Sequence, residues 1–211
     1  MSLFARIKSE LNKISVLRSL KFQLTALIMA VGLVCCLVMR FGIMESYFNR
    51  ALEVRTSDVQ NQIKIMADHL ITYNYLQDQA SDVVNAELAM ISNLYDGRIL
   101  IINNSFKVIK DTYNVSQGKT IISEEVIKCF KGHSITNYDD NNNYIEMTVP
   151  ITMTAEDKQM VVGVILCSVS ADSIVTNQDI LDRHAVIIGI LLLIVVFSFA
   201  VGIPRIIMKP F

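Results

Sequence analysis

Residues Ala185–Ile203, AVIIGILLLIVVFSFAVGI, run nineteen positions without a single charge. A helix needs about 20 residues to cross the hydrocarbon core of a bilayer. A helix buried in a soluble protein shows some polar face over that length, and this stretch shows none. Pro204 and Arg205 follow at once. Phe22–Met39 forms a second apolar run, and its character persists past Arg40 through Met44. It is too long for the apolar part of a signal peptide, and no small-residue cleavage site follows it, so it reads as a retained anchor. Two membrane spans, 22–44 and 185–204, therefore bracket a polar segment, 45–184.

The distribution of charge orients this arrangement. The chain as a whole is 52% hydrophobic, with a mean hydropathy of +0.43, too apolar for an ordinary soluble domain. Residues 1–21 carry Arg6, Lys8, Lys13, Arg18 and Lys21 against Glu10 alone, and the tail 205–211 adds Arg205 and Lys209. Between the spans stand 11 Lys/Arg and 19 Asp/Glu. Basic ends and an acidic middle place both termini in the cytoplasm and 45–184 outside. No basic stripe of the kind that binds nucleic acid is present. The pattern Leu3, Ile7, Leu11, Ile14, Leu17 fits a helix lying along the inner membrane surface as well as it fits a plain cytoplasmic lead-in. Arg40 falls near the outer end of its span, where its side chain can snorkel to the interface.

From Glu45 to about Leu76 the chain has no Gly or Pro, which predicts a long helix continuing out of the first span. Its apolar stripe runs Phe48, Leu52, Val59, Ile63, Met66, Leu70, Tyr73. That spacing serves a helix packed on its own domain, and it also suits a seam that pairs two subunits through Val59, Ile63, Met66 and Leu70. A shorter helix follows from Ser81 to about Leu94. The period then changes: Asp96-Gly97 is a turn, and RILIIN (98–103) and FKVIKDT (106–112) make a hairpin. SEEVIKCFKG (123–132) reads as a short helix between a Ser123 cap and Gly132. Asp139–Asn143 is a polar turn. YIEMTVPI (144–151) alternates, with Tyr144, Glu146 and Thr148 on one face and Ile145, Met147, Val149 and Ile151 on the other. QMVVGVILCSVS (159–170) is a central strand, and a last helix starts at Ala171 and enters the second span. This order makes one α+β domain, an antiparallel sheet of four or five strands with long helices on one face.

The same residues offer no catalytic set. His69, His133 and His184 sit in separate elements, and no HExxH, CxxC or glycine-rich phosphate loop occurs, so neither a metal nor a cofactor is expected in this chain. The acidic turn at 139–143 fails as a calcium loop, because Tyr144 stands where Gly is needed and Pro150 where Glu is needed. Cys35 and Cys36 lie within the first span. Cys129 and Cys167 fall on a helix and in a strand, and their pairing is left open.

At this level the order of elements resembles a known family. GRILIINNSFKVIKDT resembles the first hairpin of the PAS-like extracellular sensor domains called PDC or single Cache. The sequel is similar too: the helix ending at Gly132, the strand closing on Val149-Pro150-Ile151, then Val162-Gly163-Val164-Ile165 and a Ser-Ala-Asp helix start. RIIMKPF is similar to the opening of a HAMP linker, with Pro210 at its proline and Phe211 where Ile is usual. The resemblance implies a PAS-like antiparallel sheet with long flanking helices between two transmembrane helices. It implies the input half of a bacterial sensor histidine kinase, cut after the membrane, with ATP and the cognate response regulator belonging to absent domains. It also implies a homodimer, an extracellular small molecule or ion as signal, and relay through the second span and the prolines Pro204 and Pro210. By analogy the ligand cavity lies between the sheet and the segment 111–140, with Arg98, Tyr113, His133, Tyr138, Tyr144, Glu146 and Thr148 as contacts. The same front end serves chemoreceptors and diguanylate cyclases, and a membrane-anchored binding or scaffold protein is a further alternative.

Overall fold

A continuous run of helix-compatible residues gives the chain its longest element. In the computed structural model, which describes residues 20–155 and 158–207, α1 spans Leu20–Thr72 without a break. It stops because Asn74 adopts a left-handed conformation, φ +51°. The Tyr75 N–H then reaches back to the Leu70 carbonyl at 2.9 Å and the Asn74 N–H to Ile71 at 3.0 Å, the paired closure of a Schellman ending. Tyr73, read from the sequence as part of the apolar stripe, therefore falls past the helix end and is largely exposed. Tyr75 is fully buried instead, its hydroxyl donating to Asn85 Oδ1 at 2.7 Å.

The second helix, α2 (Asp82–Leu94), starts where expected, with Ser81 Oγ accepting from the Val84 N–H. The strands are β1 (Gly97–Asn103), β2 (Val108–Asp111), β3 (Ile135–Asp139), β4 (Tyr144–Ala155) and β5 (Lys158–Ser170). A short helix, α3 (Glu124–Phe130), precedes β3, and α4 (Asp172–Ile207) closes the chain. The sheet order is β2-β1-β5-β4-β3, antiparallel throughout. β3 was not among the strands read from the sequence, and it lies within the segment 111–140 that was expected to cross over the sheet. Pro150 sits in β4 beyond Thr148, the last residue paired to β3, so its missing N–H falls where β4 has lost one neighbour.

The chain divides into two compact units. Phe48–Thr176 forms one, and the residues up to Tyr47 together with those from Asn177 form the other. In the first, α1 and α2 cover one face of the sheet. Val59, Ile63, Met66 and Leu70 are all completely buried there, in one cluster with Ile101, Ile145, Met147, Ile165 and Cys167. This corrects the expectation of a subunit seam at these four residues: their own sheet occupies them, and a second chain cannot reach them. On the opposite face α3 covers Leu100, Ile102 and Val164 through Val126 and Cys129, and Phe106 packs edge-on against Phe130 at 4.9 Å. Cys129 and Cys167 thus lie on opposite faces of the sheet, both free. Burial pushes their thiols up to about 11 and about 12.

In the second unit the helices are long and apolar enough to cross a membrane, by windows within Gln23–Thr72 and Asp172–Ala200. They are joined at three levels. Arg40 donates through Nε and Nη2 to both carboxylate oxygens of Asp182, at 2.7 and 2.6 Å. Gly32 leaves room for Val196, whose methyl would lie 3.1 Å from an added Cβ. Thr25 Oγ1 donates to the Ala200 carbonyl at 2.9 Å. The last helix continues through Pro204 to Ile207. The expectations for residues 1–19 and for Pro210 lie outside the described residues.

Candidate functional site

Strand alternation decides which side chains meet. Ladder pairs align Asn137, Glu146, Ser168 and Arg98 in one row across β3, β4, β5 and β1, and Ile135, Thr148, Leu166 and Leu100 in the next. Both rows point to the α3 face, the side of the smaller core. There α3 and the segment leading into it leave a cavity of about 250 Å³, lined by Ile121, Ser123, Glu125, Ile135, Asn137, Glu146, Met147, Thr148 and Leu166. Ser123 accepts from the Val126 N–H and so fixes the start of α3 at the cavity wall. Glu125 is held below the usual carboxylate range by its own backbone N–H, then by the Ser123 hydroxyl. Thr148 is 3% exposed, and its Oγ1 has only the weakly hydrogen-bonding thiol of Cys129 beside it.

Of the residues expected to contact a ligand, the structure brings Glu146 and Thr148 together at this cavity. The other five lie elsewhere. Arg98 shares the row of Glu146 but lies two strands away, about 10 Å at the usual strand spacing. Its guanidinium is occupied by Asp111 at 2.7 and 3.0 Å and by Ser116 Oγ at 2.9 Å. Asp111 also accepts from the backbone N–H groups of Tyr113, Val115 and Ser116. Burial opposes its ionisation, but Arg98 and the backbone donors outweigh burial and hold the carboxyl well below its usual range. Arg98 is thus a positioning residue for the loop after β2 and is not free to clamp a ligand. Tyr113 and His133 are exposed. Tyr144 is at the exposed start of β4. Tyr138 falls on the other face by the parity of β3, its ring 5.7 Å from Phe48 and its hydroxyl on Asn143.

Asn137, Ile135, Ser123 and Glu125 also line the cavity and were missed from sequence as site residues. The signal that finds the first two is the ladder itself, since they pair with Glu146 and Thr148 once β3 is recognised. A second hollow of about 450 Å³ lies on the opposite face, between α1 and the edge of the sheet. It is an open groove in which Leu52, Tyr138 and Ile145 stand among neutral polar side chains and Glu53, which Arg50 already engages at 2.8 Å.

No family model matches the sequence, and no curated protein matches it. Among solved structures, an extracellular ligand binding receptor from Desulfohalobium retbaense DSM5692 superposes with a TM-score of 0.51 at 15% identity, covering 65% of this chain and 27% of that one. The DcuS sensor domain of E. coli gives a TM-score of 0.43 at 16% identity, over 59% of this chain and 97% of that domain. The chain therefore spans only about a quarter of the receptor's length. The fold is PDC/Cache-like. In the PDC/Cache-like domain of this chain the cavity opens between the sheet and α3, on the face opposite α1 and α2.

Proposed function

We propose that the chain is the sensory and transmembrane-signalling portion of a two-component sensor histidine kinase, with residues 45–184 outside the cell and both ends in the cytoplasm. The observation that carries this reading is a sensor-type α+β domain whose first and last helices each run, without interruption, into a stretch long enough to span a bilayer. The matching extracellular receptor supports the sensing role, and the RIIMKPF tail supports a HAMP-linked kinase as the output. An extracellular small molecule or ion alters the packing of the domain, and α4 carries a small displacement through Pro204 toward Pro210. Such a relay works only if the signal interacts differently with two packings. The active form is a homodimer, which must use faces of α1 other than the buried stripe. ATP and the response regulator act on the kinase part beyond this chain.

Two measurements test the reading. Asp140→Cys, in the extended 139–143 turn, should react with a membrane-impermeant maleimide in intact cells; labelling only after lysis overturns the topology. The chain joined at Phe211 to a HAMP–kinase output should also show autophosphorylation that depends on the Arg40–Asp182 pair. Arg40→Asp should disturb basal output, and Arg40→Asp combined with Asp182→Arg should restore it. Output indifferent to both changes would remove the two helices from the relay.

A further inference from the structure

The cavity beside α3 carries acid and no base. Glu125 and Glu146 both line it, with the Asn137 amide and the Thr148 hydroxyl between apolar walls at Ile121 and Leu166. Two cations of this face are engaged elsewhere, Lys128 with Glu124 and Arg98 with Asp111. Glu125 stays ionised because its charge is hydrogen-bonded at the start of α3. Thr148 Oγ1 is buried with only the Cys129 thiol, a weak partner, beside it, so most of its hydrogen-bonding capacity is unused. Such a group costs stability in the empty protein, so it marks a place where a ligand atom can complete the set.

The lining also discriminates between kinds of cation. A metal ion of the calcium type wants six to eight oxygens with several carboxylates. Among the described residues no group of three or more His, Cys, Asp or Glu side chains is placed to hold one. An alkylammonium is satisfied by three acceptors, and two carboxylates with a hydroxyl provide them. A volume of about 250 Å³ is roughly eight water molecules at ~30 Å³ each, the size of a small metabolite.

We propose that this cavity binds a small primary amine, its ammonium group held by Glu125, Glu146 and Thr148 and its short apolar body lying against Ile121, Ile135 and Leu166. The proposal rests on reading the cavity as the sensory input, and it adds the sign of charge and the chemical class of what enters.

The test uses the full chain in lipid nanodiscs, titrated calorimetrically with butylamine, ethanolamine and putrescine, and in parallel with acetate, succinate and calcium chloride. At least one amine should bind saturably and raise the melting temperature. Glu146→Gln should weaken that binding at least tenfold, and Thr148→Val several-fold. Circular dichroism reports whether each variant keeps its fold, and Glu125→Gln replaces Thr148→Val if the latter does not. Binding of succinate or acetate with the amines silent overturns the charge assignment. Saturable calcium binding lost in Glu146→Gln assigns the cavity to a metal and also overturns it. Amine binding unchanged in the variants places the amine elsewhere, and no amine binding at all ends the proposal. The sensor reading survives each of these results, since it falls separately, to cytoplasmic placement of residue 140.

Discussion

On one face of the sheet, Val59, Ile63, Met66 and Leu70 descend from a single long helix into Ile101, Ile145, Ile165 and Cys167 and fill its centre, leaving hollows only toward the margins. On the other, Leu100, Ile102 and Val164 are covered by a helix of seven residues, and space remains from Ser123 to Thr148. The difference follows from length. A long helix lays a continuous apolar stripe across all the central strands, whereas two turns of helix cover only part of the sheet. One face is therefore closed over its centre, and the other keeps space directly against the sheet, where a small molecule can change the packing. Binding sites are drawn from such incompletely packed regions.

The contrast can be broken most directly by truncating each core in turn. Ile63→Ala on the sealed face should cost about 2–5 kcal/mol, the usual range for a fully buried Ile. Val126→Ala under α3 should cost well under half as much, because fewer methyl groups are lost and the neighbouring space lets the site relax. Urea denaturation followed by circular dichroism compares them. Equal losses would mean that the α3 face is as tightly filled as the other.

Asp111 should rank next. Asp111→Asn removes the charge that holds Arg98 and three backbone N–H groups, at a cost of about 2–3 kcal/mol for hydrogen bonds to a charged group. The pH dependence has a definite sign. The folded carboxyl has a lowered pKa, so its contribution is fully present above the unfolded value of about 4 and is lost as pH falls further. The gap in stability between the two proteins should be flat near neutrality and narrow below about pH 4. A gap that narrows on the alkaline side would contradict the ion pair. A smaller effect, about 1 kcal/mol, is expected for Ser123→Ala, which uncaps α3 at the cavity wall.

Much of this architecture could be read from residue patterns, and the failures have physical causes. The caps Ser81 and Ser123 were legible because a hydroxyl before a helical run has one favoured use. The turn at Asp96 was legible because its left-handed backbone, φ +47°, is one that Asp tolerates before Gly97. β3 escaped because it is an edge strand whose residues, Ile135–Asp139, are all at least partly exposed, so no apolar alternation announces it. That omission carried through to the site. Without β3, Asn137 and Ile135 have no place, and Tyr138 is put on the wrong face. The stripe on α1 was visible, but its spacing is common to a helix on a sheet and a helix on a helix; only the burial of Val59 through Leu70 separates the two.

The smallest expected effect sharpens the comparison most. Thr148 pairs across the ladder with Leu166, beside a cavity, and its hydroxyl is buried with only the weak Cys129 thiol as a partner. In a core optimised for folding alone, Val would fill the position and avoid the desolvation of the hydroxyl. Thr148→Val should therefore leave the melting temperature unchanged or raise it, by the equivalent of up to about 1 kcal/mol. The same exchange on the sealed face has no counterpart, because the strand residues of that cluster are already apolar. A clear loss of stability would show that the hydroxyl is satisfied within the fold, and the argument that it awaits a ligand would go with it. A gain would mean that the α3 face keeps, at some cost in stability, a polar atom that folding does not need.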